Sequence, residues 1–456
     1  MAGGARTDDW WHGLHVREMA RIAAPVVLVN MGMQAMGMVD ALMVGRLGGA
    51  AIAAVALGNF YVFNASVFGM GLLFALDPVV SQGVGARDDE AVALGVQRGV
   101  LLSLAIVVVV TVALLPGEWL LGALRQPPDV AEETARYVRR RALAMVPFFG
   151  FLLMRQVLQA MGTVRPVLLA VLAANLVNVA ANWALIEGRW GAPALGVEGA
   201  GYATAVATWA MAGVLAWLAW PRLRATVVPW RPTSRAWGPM RHLLRIGAPI
   251  AAQWFFESFA FGFTAVLMGW MGTASLAGHE IALNLAAMTY MVPLGISGAA
   301  AAVVGRAIGR GEQEVARRDA AAAIACGVGF MTLTAALFLT APGWLATRYT
   351  TEGATVAVAA ALIPIAGVFQ VFDGLQGVTS GVLRGTGDTR VPALLHLLAF
   401  WAVGMPLGAW LGFATPLRER GLWIGLVAGL AMAGALQSVR VWHRFRAPIA
   451  RVRLDG

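Results

Sequence analysis

The sequence predicts an all-α polytopic membrane protein, with twelve transmembrane helices in two pseudo-symmetric six-helix lobes. Three observations predict it. Of 456 residues, 59% are hydrophobic and only 13% charged, about half the charge of a soluble domain. Apolar stretches of about 20 residues, the length a helix needs to cross the hydrocarbon core, recur twelve times. The first six of these are echoed in the second six at a nearly constant offset.

In order, the spans lie near 19–45, 51–83, 92–115, 134–161, 164–187, 198–220, 243–270, 276–308, 317–340, 353–384, 389–413 and 420–441. The 54 glycines and 20 methionines suit helices whose backbones approach closely. The first residues, MAGGARTDDWWHGLHVREMAR, contain no apolar signal-peptide core, so the first span is expected to act as its own uncleaved signal. Trp220 to Arg245 is the one long polar, Pro-containing interruption. The expected organisation is a cytoplasmic N-terminal segment (1–18), an N-lobe (19–220), a cytoplasmic linker (221–242), a C-lobe (243–441) and a cytoplasmic tail (442–456).

An even number of spans puts both termini on one side. All 34 basic residues are arginines, and 24 of them fall on that side when assigned to the nearest loop. The positive-inside rule then makes the termini cytoplasmic, and the expected host is the plasma membrane. The net charge of +10 is therefore read as topology and headgroup contact, not as nucleic-acid binding. Arg136, Arg139, Arg140 and Arg141, on the opposite side, are read as headgroup anchors that snorkel.

RIAAP (Arg21–Pro25) recurs as RIGAP (Arg245–Pro249), a shift of 224. SQGVGARDDEAV, beginning at Ser81, aligns with GRAIGRGEQEVA at nearly the same shift, matching Gly85 to Gly309. QAMGTVR aligns with RGTGDTR, matching Gly162 to Gly387. Six spans per repeat insert both halves the same way up, giving parallel repeats about an axis along the membrane normal. That arrangement suits alternating access.

Asp40 is the only charged side chain in the stretch Ala24 to Gly45. A mid-membrane carboxylate costs about 2.5–3.5 kcal/mol on insertion scales, so such acids commonly line a cavity, pair with a partner or carry protons. Helical spacing places Asn30, Met33 and Gly37 on its face. Asn175, Asn178 and Asn182, at i, i+3 and i+7 in the fifth span, are its expected partners; the alternative is amides that only join helices. In the second half, Gln253, Glu257 and Thr264 share one face, and Phe369, Asp373, Gln376, Ser380 and Arg384 another. Two carboxylates on different helices with aromatic rings nearby suit a cation; pairing of Asp373 with Arg384 is the alternative. Asp77 and Glu280 are weaker candidates, and His279 and His396 are read as structural. One cysteine, Cys326, excludes an intrachain disulfide, and the absence of a P-loop, HExxH or GxSxG motif leaves no sign of an ATP-driven pump or an enzyme.

Several stretches together resemble the multidrug and toxic compound extrusion (MATE) family over essentially the whole chain. They are MVDALMVGRLGGAAIAAVALGN in the first span, ALDPVVSQGVGARDDEAV at the end of the second, YMVPLGISGAAAAVVGRAIGRGE in the eighth and GVLRGTGDTRVP between the tenth and eleventh. The resemblance implies two six-helix lobes and export of cationic, amphipathic compounds in exchange for protons or sodium; no resident cofactor is expected, and the expected state is a monomer. Asp40, Glu257 and Asp373 match the acids of the NorM-like branch in the first, seventh and tenth helices. They are the expected coupling residues, with Asn30, Met33, Asn175, Asn178, Asn182, Gln253, Phe369 and Gln376 lining the cavity and Na+ an option at Glu257 and Asp373. Phe369 stands where sodium-site members have Tyr, which favours protons. The rival readings are a lipid-linked oligosaccharide flippase of the same broad superfamily and a membrane sensor that transports nothing.

Overall fold

The computed structural model describes residues 16–123 and 128–454. Most of the expected N-terminal segment (1–18) and the last two residues of the tail (442–456) lie outside the described residues. Among those described there is no strand. Twelve helices are long and apolar enough to cross a membrane. They are α1 (Val16–Leu47), α2 (Gly49–Gly85), α3 (Asp89–Leu114), α4 (Val130–Ala160), α5 (Arg165–Glu187), α6 (Gly196–Val227), α7 (Trp237–Met271), α8 (Thr273–Gly309), α9 (Gln313–Thr340), α10 (Gly353–Gly385), α11 (Arg390–Ala414) and α12 (Glu419–Arg446).

The central connection is shorter than the sequence suggests. α6 runs through Pro221 to Val227 and α7 begins at Trp237. A proline is tolerated in a membrane helix because neighbours can satisfy the backbone groups it frees. The remaining connection is tied to α3. Gln97 Nε2 donates to Thr226 O at 3.2 Å and Pro229 O at 3.0 Å, and its Oε1 accepts from Arg231 N at 2.9 Å. Arg98 Nη2 reaches Thr233 O at 3.4 Å.

Packing divides the chain into two compact units whose limits differ from the repeat boundaries. One comprises the chain through Val27, Ser81–Arg87 and Phe256–Val452; the other comprises Leu28–Val80, Asp88–Phe255 and the chain from Arg453. Each half therefore contributes the start of its first span to the other half's unit. The cause is a pair of close crossings that the repeat builds twice. In one unit, a Cβ on Gly71 would come within 2.3 Å of Ala251 Cα. In the other, a Cβ on Gly295 would come within 2.8 Å of Val27 N. Gly71 and Gly295 are equivalent at the 224 shift, and so are Val27 and Ala251. Only glycine permits backbones this close.

α11 and α12 cross on glycines as well. Gly404, Gly408 and Gly412 face Gly421, Gly425 and Gly429, and a Cβ on Gly425 would lie 2.3 Å from Gly408 Cα. Side-chain rearrangement cannot relieve a clash with backbone. Gly425→Leu is expected to destabilise the protein by at least 1–3 kcal/mol, the usual cost of overpacking. Size-exclusion profile and thermal midpoint in detergent check this; a monodisperse variant with an unchanged midpoint contradicts the crossing.

Candidate functional site

The first polar cluster forms within the unit that contains Leu28–Val80. Asp40, near the end of α1, is fully buried. Its Oδ1 accepts from Asn178 Nδ2 at 2.9 Å and Asn182 Nδ2 at 2.6 Å, both from α5. Its Oδ2 accepts from Thr204 Oγ1 of α6 at 2.7 Å. Arg141 of α4 lies 3.9 Å from the same oxygen. Arg141 also donates to Tyr137 Oη at 3.1 Å, and Tyr137 donates to Asn59 Oδ1 of α2 at 2.9 Å. Five helices thus meet around one carboxylate. Donors at short range offset the desolvation of the buried charge, and the guanidinium supplies a counter-charge. Asn182 Oδ1 is buried and accepts no hydrogen bond among the described residues.

The expected set is divided by this geometry. Asn178 and Asn182 reach Asp40, but Asn175 donates to Gly32 O and Val171 O, both at 2.9 Å, and so joins α5 to α1. It lies where α1 approaches closely: a Cβ on Gly32 would come within 2.6 Å of Val171 Cγ1. Asn30 and Met33 belong to a separate contact. Arg155 Nη2 donates to Asn30 Oδ1 at 2.5 Å, and Nη1 lies 3.4 Å from Met33 Sδ. Assignment to the nearest loop groups Arg155 with the loop arginines. Arg155 lies inside α4, with the charge of Asp77 acting on it. Asp77 is itself buried.

Of the four outer arginines, Arg141 departs from the reading as a lipid anchor, and the other three also pair with carboxylates. Arg136 bonds Glu132, Arg139 lies 3.3 Å from Glu118, and Arg140 lies 3.1 Å from Glu198 and over the ring of Tyr202. Arg141 turns inward to Asp40. Their carboxylate partners come from other turns and other helices, which a loop-by-loop charge count does not register.

The second cluster forms within the other unit. Asp373 of α10 is buried, and the charge of Glu257 of α7 reaches it. Glu257 Oε2 lies 3.6 Å from His396 Nε2 of α11. His396 is buried, stacks on Phe400 with centroids 4.7 Å apart, and shares a 3.1 Å hydrogen bond through Nδ1 with Gln376 Nε2. Ser380 Oγ and Thr379 Oγ1 each donate to Gln437 Oε1 of α12 at 3.0 Å. Next to His396, α11 contains a π-helical turn, Ala399–Gly404, a feature often found at functional sites.

Phe369 is 2% exposed, closed in by Phe261 at 6.1 Å and Trp423 at 5.4 Å. Trp423 Nε1 donates to His279 Nδ1 at 3.1 Å, which accounts for that histidine structurally. Phe369 is thus a core ring. Tyr290 of α8 is the phenol of this region. A Cβ on Gly377 would touch its hydroxyl at 2.8 Å, and the charges of Asp373 and Glu257 both act on it. Gln253 is buried in the unit that holds Asp40, and Glu280 is exposed. Among the described residues no three His, Cys, Asp or Glu side chains form a metal-ligating group. A sodium ion at Glu257 and Asp373 would therefore complete its shell with neutral oxygens.

Thr204, Arg141, Tyr137, Arg155, Tyr290 and Gln437 escaped the sequence reading, and His396 was read as structural. A signal existed for two of them. Arg155 interrupts the apolar run FFGFLLMRQVLQAMG, and His396 lies within a span. Thr204 and Gln437 carry no charge to mark them.

The MatE family model matches residues 25–184 and 249–410, one segment in each half. The probable multidrug resistance protein NorM of Mesorhizobium japonicum is 35% identical, covering 98% of this chain and 97% of that protein. The multidrug resistance protein NorM of Burkholderia vietnamiensis is 36% identical, covering 96% of each. Among solved structures, the eukaryotic MATE transporter AtDTX14 superposes with a TM-score of 0.86 at 21% identity, over 94% of this chain and 96% of that one, which supports the fold. With two matched halves, twelve membrane-spanning helices and NorM relatives aligned nearly end to end, the chain belongs to the MatE family as a NorM-like, multi-pass membrane protein.

Proposed function

We infer that this protein is a secondary antiporter that exports cationic, amphipathic organic compounds in exchange for H+ or Na+ by alternating access. The observation that carries the reading is a fully buried carboxylate, Asp40, held by a threonine hydroxyl that can reverse its polarity. Thr204 has one hydroxyl proton and two acceptors in reach, Asp40 Oδ2 at 2.7 Å and Ala200 O at 3.0 Å. With Asp40 ionised, Thr204 donates to it. With Asp40 protonated, Asp40 donates to Thr204 Oγ1, and Thr204 turns its own proton to Ala200 O. The hydrogen bond persists in both states while the charge facing Arg141 appears and disappears. A proton acts on transport to the extent that it binds one conformational state better than the other.

Glu257 and Asp373 supply the negative charge for a cationic cargo, with the His396 ring 3.6 Å from Glu257. The named relatives are multidrug resistance proteins, which fits this substrate class. The protein works as a monomer in the plasma membrane with both termini in the cytoplasm and needs no resident cofactor. Phe369 in the core favours H+ over Na+ as the coupling ion.

The test is efflux of a cationic dye from proteoliposomes under a proton gradient and a sodium gradient imposed separately. Dye movement driven by the proton gradient alone is expected. Movement driven only by sodium overturns the proton assignment. Movement with neither ion, in protein that binds the dye, overturns antiport.

A further inference from the structure

α12 ends at Arg446 because Pro448 follows. The residue before a proline is pushed out of the helical region, and Ala447 is extended, at φ −109° and ψ 153°. An extended segment exposes backbone N–H and C=O groups that a helix would satisfy internally. Two glutamines take them up, since a carboxamide offers both a donor and an acceptor. Gln313, at the start of α9, donates through Nε2 to Phe445 O at 3.0 Å and Ala447 O at 2.9 Å, and its Oε1 accepts from Ile449 N at 3.0 Å. Gln82, near the end of α2, donates through Nε2 to Gly385 O of α10 at 2.9 Å, and its Oε1 accepts from Val452 N at 2.7 Å. Gln82 is fully buried. Ile449 packs on the apolar core that includes Ala316 and Phe445. Val452 sits on the turn after α10, where a Cβ on Gly387 would come within 2.4 Å of Val452 Cγ2. Residues 447–452 thus form a strap held at both ends.

The far end of the strap meets a particular piece of chain. Ser81–Arg87 packs in the unit that contains Phe256–Val452, although the residues on either side of it do not. It crosses the end of α8 backbone to backbone. A Cβ on Gly85 would come within 2.1 Å of Arg306 O, and one on Gly309 within 2.1 Å of Gln82 O. Gln82 ties this crossing to α10 and to the strap. The tie is not a by-product of the repeat. At the 224 shift Gln82 corresponds to Arg306 and Val452 to Val228, whose N–H bonds Arg224 O at 2.7 Å. In the first half, the segment after α6 is held by Gln97 of the same half. In the second half, the segment after α12 holds a helix of the other half. We propose that residues 447–452 are a latch on the gate at the side of the membrane that holds both termini. Bound to Gln82, they keep the end of α2 on α8 and α10, and opening on that side breaks the bond between Gln82 and Val452. The latch rests on the alternating-access reading and biases that equilibrium by stabilising the closed arrangement.

The test uses the full chain with Cys326→Ser and Ser81→Cys, reconstituted in proteoliposomes. Cys326 is the only native cysteine. Ser81 is fully buried against Gly305 in the crossing, so a membrane-impermeant maleimide added on the terminus side labels the new thiol when the crossing opens. Val452→Pro removes the strap's N–H, and Gln82→Met keeps the length of the side chain while removing both of its bonds. Loss of one net hydrogen bond should raise the labelling rate of Val452→Pro on the order of 2- to 10-fold. Gln82→Met should raise it further, and Val452→Ala, which keeps the N–H, should label like the parent. Thermal midpoints of the same preparations establish that each variant is folded. Parent-like labelling of folded Gln82→Met and Val452→Pro proteins would overturn the latch. Equally faster labelling from both sides of the membrane would overturn it too, because it marks a loosened fold. Labelling reads opening without cargo or an ion gradient, so a failed latch and a failed antiport reading give different results.

Discussion

Replacing Asp40 with Asn should abolish ion-driven efflux, lowering it at least 100-fold, while the protein still folds. The substitution keeps the size of the side chain and an oxygen facing Thr204. The amides of Asn178 and Asn182, which bond Asp40 at 2.9 and 2.6 Å, can turn over to meet the new amide. What disappears is the charge that faces Arg141 at 3.9 Å, which the proposed exchange requires. A coupling ion that binds neither state cannot shift the equilibrium between them. Thr204→Val, which keeps the charge but removes the hydroxyl relay, should have an intermediate effect. A lost hydrogen bond to a buried charge costs about 1.5–3 kcal/mol, or on the order of a 10- to 100-fold loss of rate if it is needed in the moving state. Proteoliposome efflux, with the thermal midpoint measured on the same preparations, separates coupling from folding. Wild-type efflux by a folded Asp40→Asn protein would remove Asp40 from the mechanism.

Neutralising the second cluster should strike a different quantity. Glu257→Gln and Asp373→Asn are each expected to weaken binding of a monovalent cationic dye by at least tenfold, with binding of an uncharged analogue of similar size little changed. The physical reason is the setting of the two acids. Asp373 is buried in the same unit as Glu257, where a cation gains more from a carboxylate than it would in water. Equilibrium dye binding in detergent, compared with the uncharged analogue, reads this directly. An equal loss for both ligands would mean that the acids support the fold and do not recognise charge. His396 makes the distinction sharper, because its ring lies 3.6 Å from Glu257 and is held by Gln376, so Glu257→Gln leaves a polar partner in place and should not collapse the helix contact.

A lone acid in an apolar span and amides at helical spacing were enough to place Asp40 with Asn178 and Asn182, because a buried charge demands donors and few were on offer. The same reasoning overreached at Asn175. One helix face is wide enough to serve two neighbours, and the close approach of Gly32 drew this amide into joining α5 to α1. Phe369 shows a second limit. Its position one turn before Asp373 suggested a ring facing cargo, yet Phe261 and Trp423 enclose it. Spacing places a residue on a face of its own helix but does not say which neighbour that face meets.

The arginines show the same limit from the other side. Arg141 and Arg155 were counted as loop charges because each lies near an expected helix end. Only the packed helices bring Arg141 to Asp40 and Arg155 to Asn30.

The sequence alone determined the number of spans, their apolar lengths, the repeat at a shift of 224 and the three acids that are costly to bury. These follow from local composition, since any bilayer imposes the same length and the same penalty on charge. Tertiary structure decided which donors Asp40 meets, that Arg141 faces inward, that His396 lies between Glu257 and Gln376, and that the starts of α1 and α7 belong to the opposite units. Those outcomes depend on which helices approach closely enough to touch, and that is governed by glycines such as Gly71 and Gly295, where a single Cβ would hold the backbones apart.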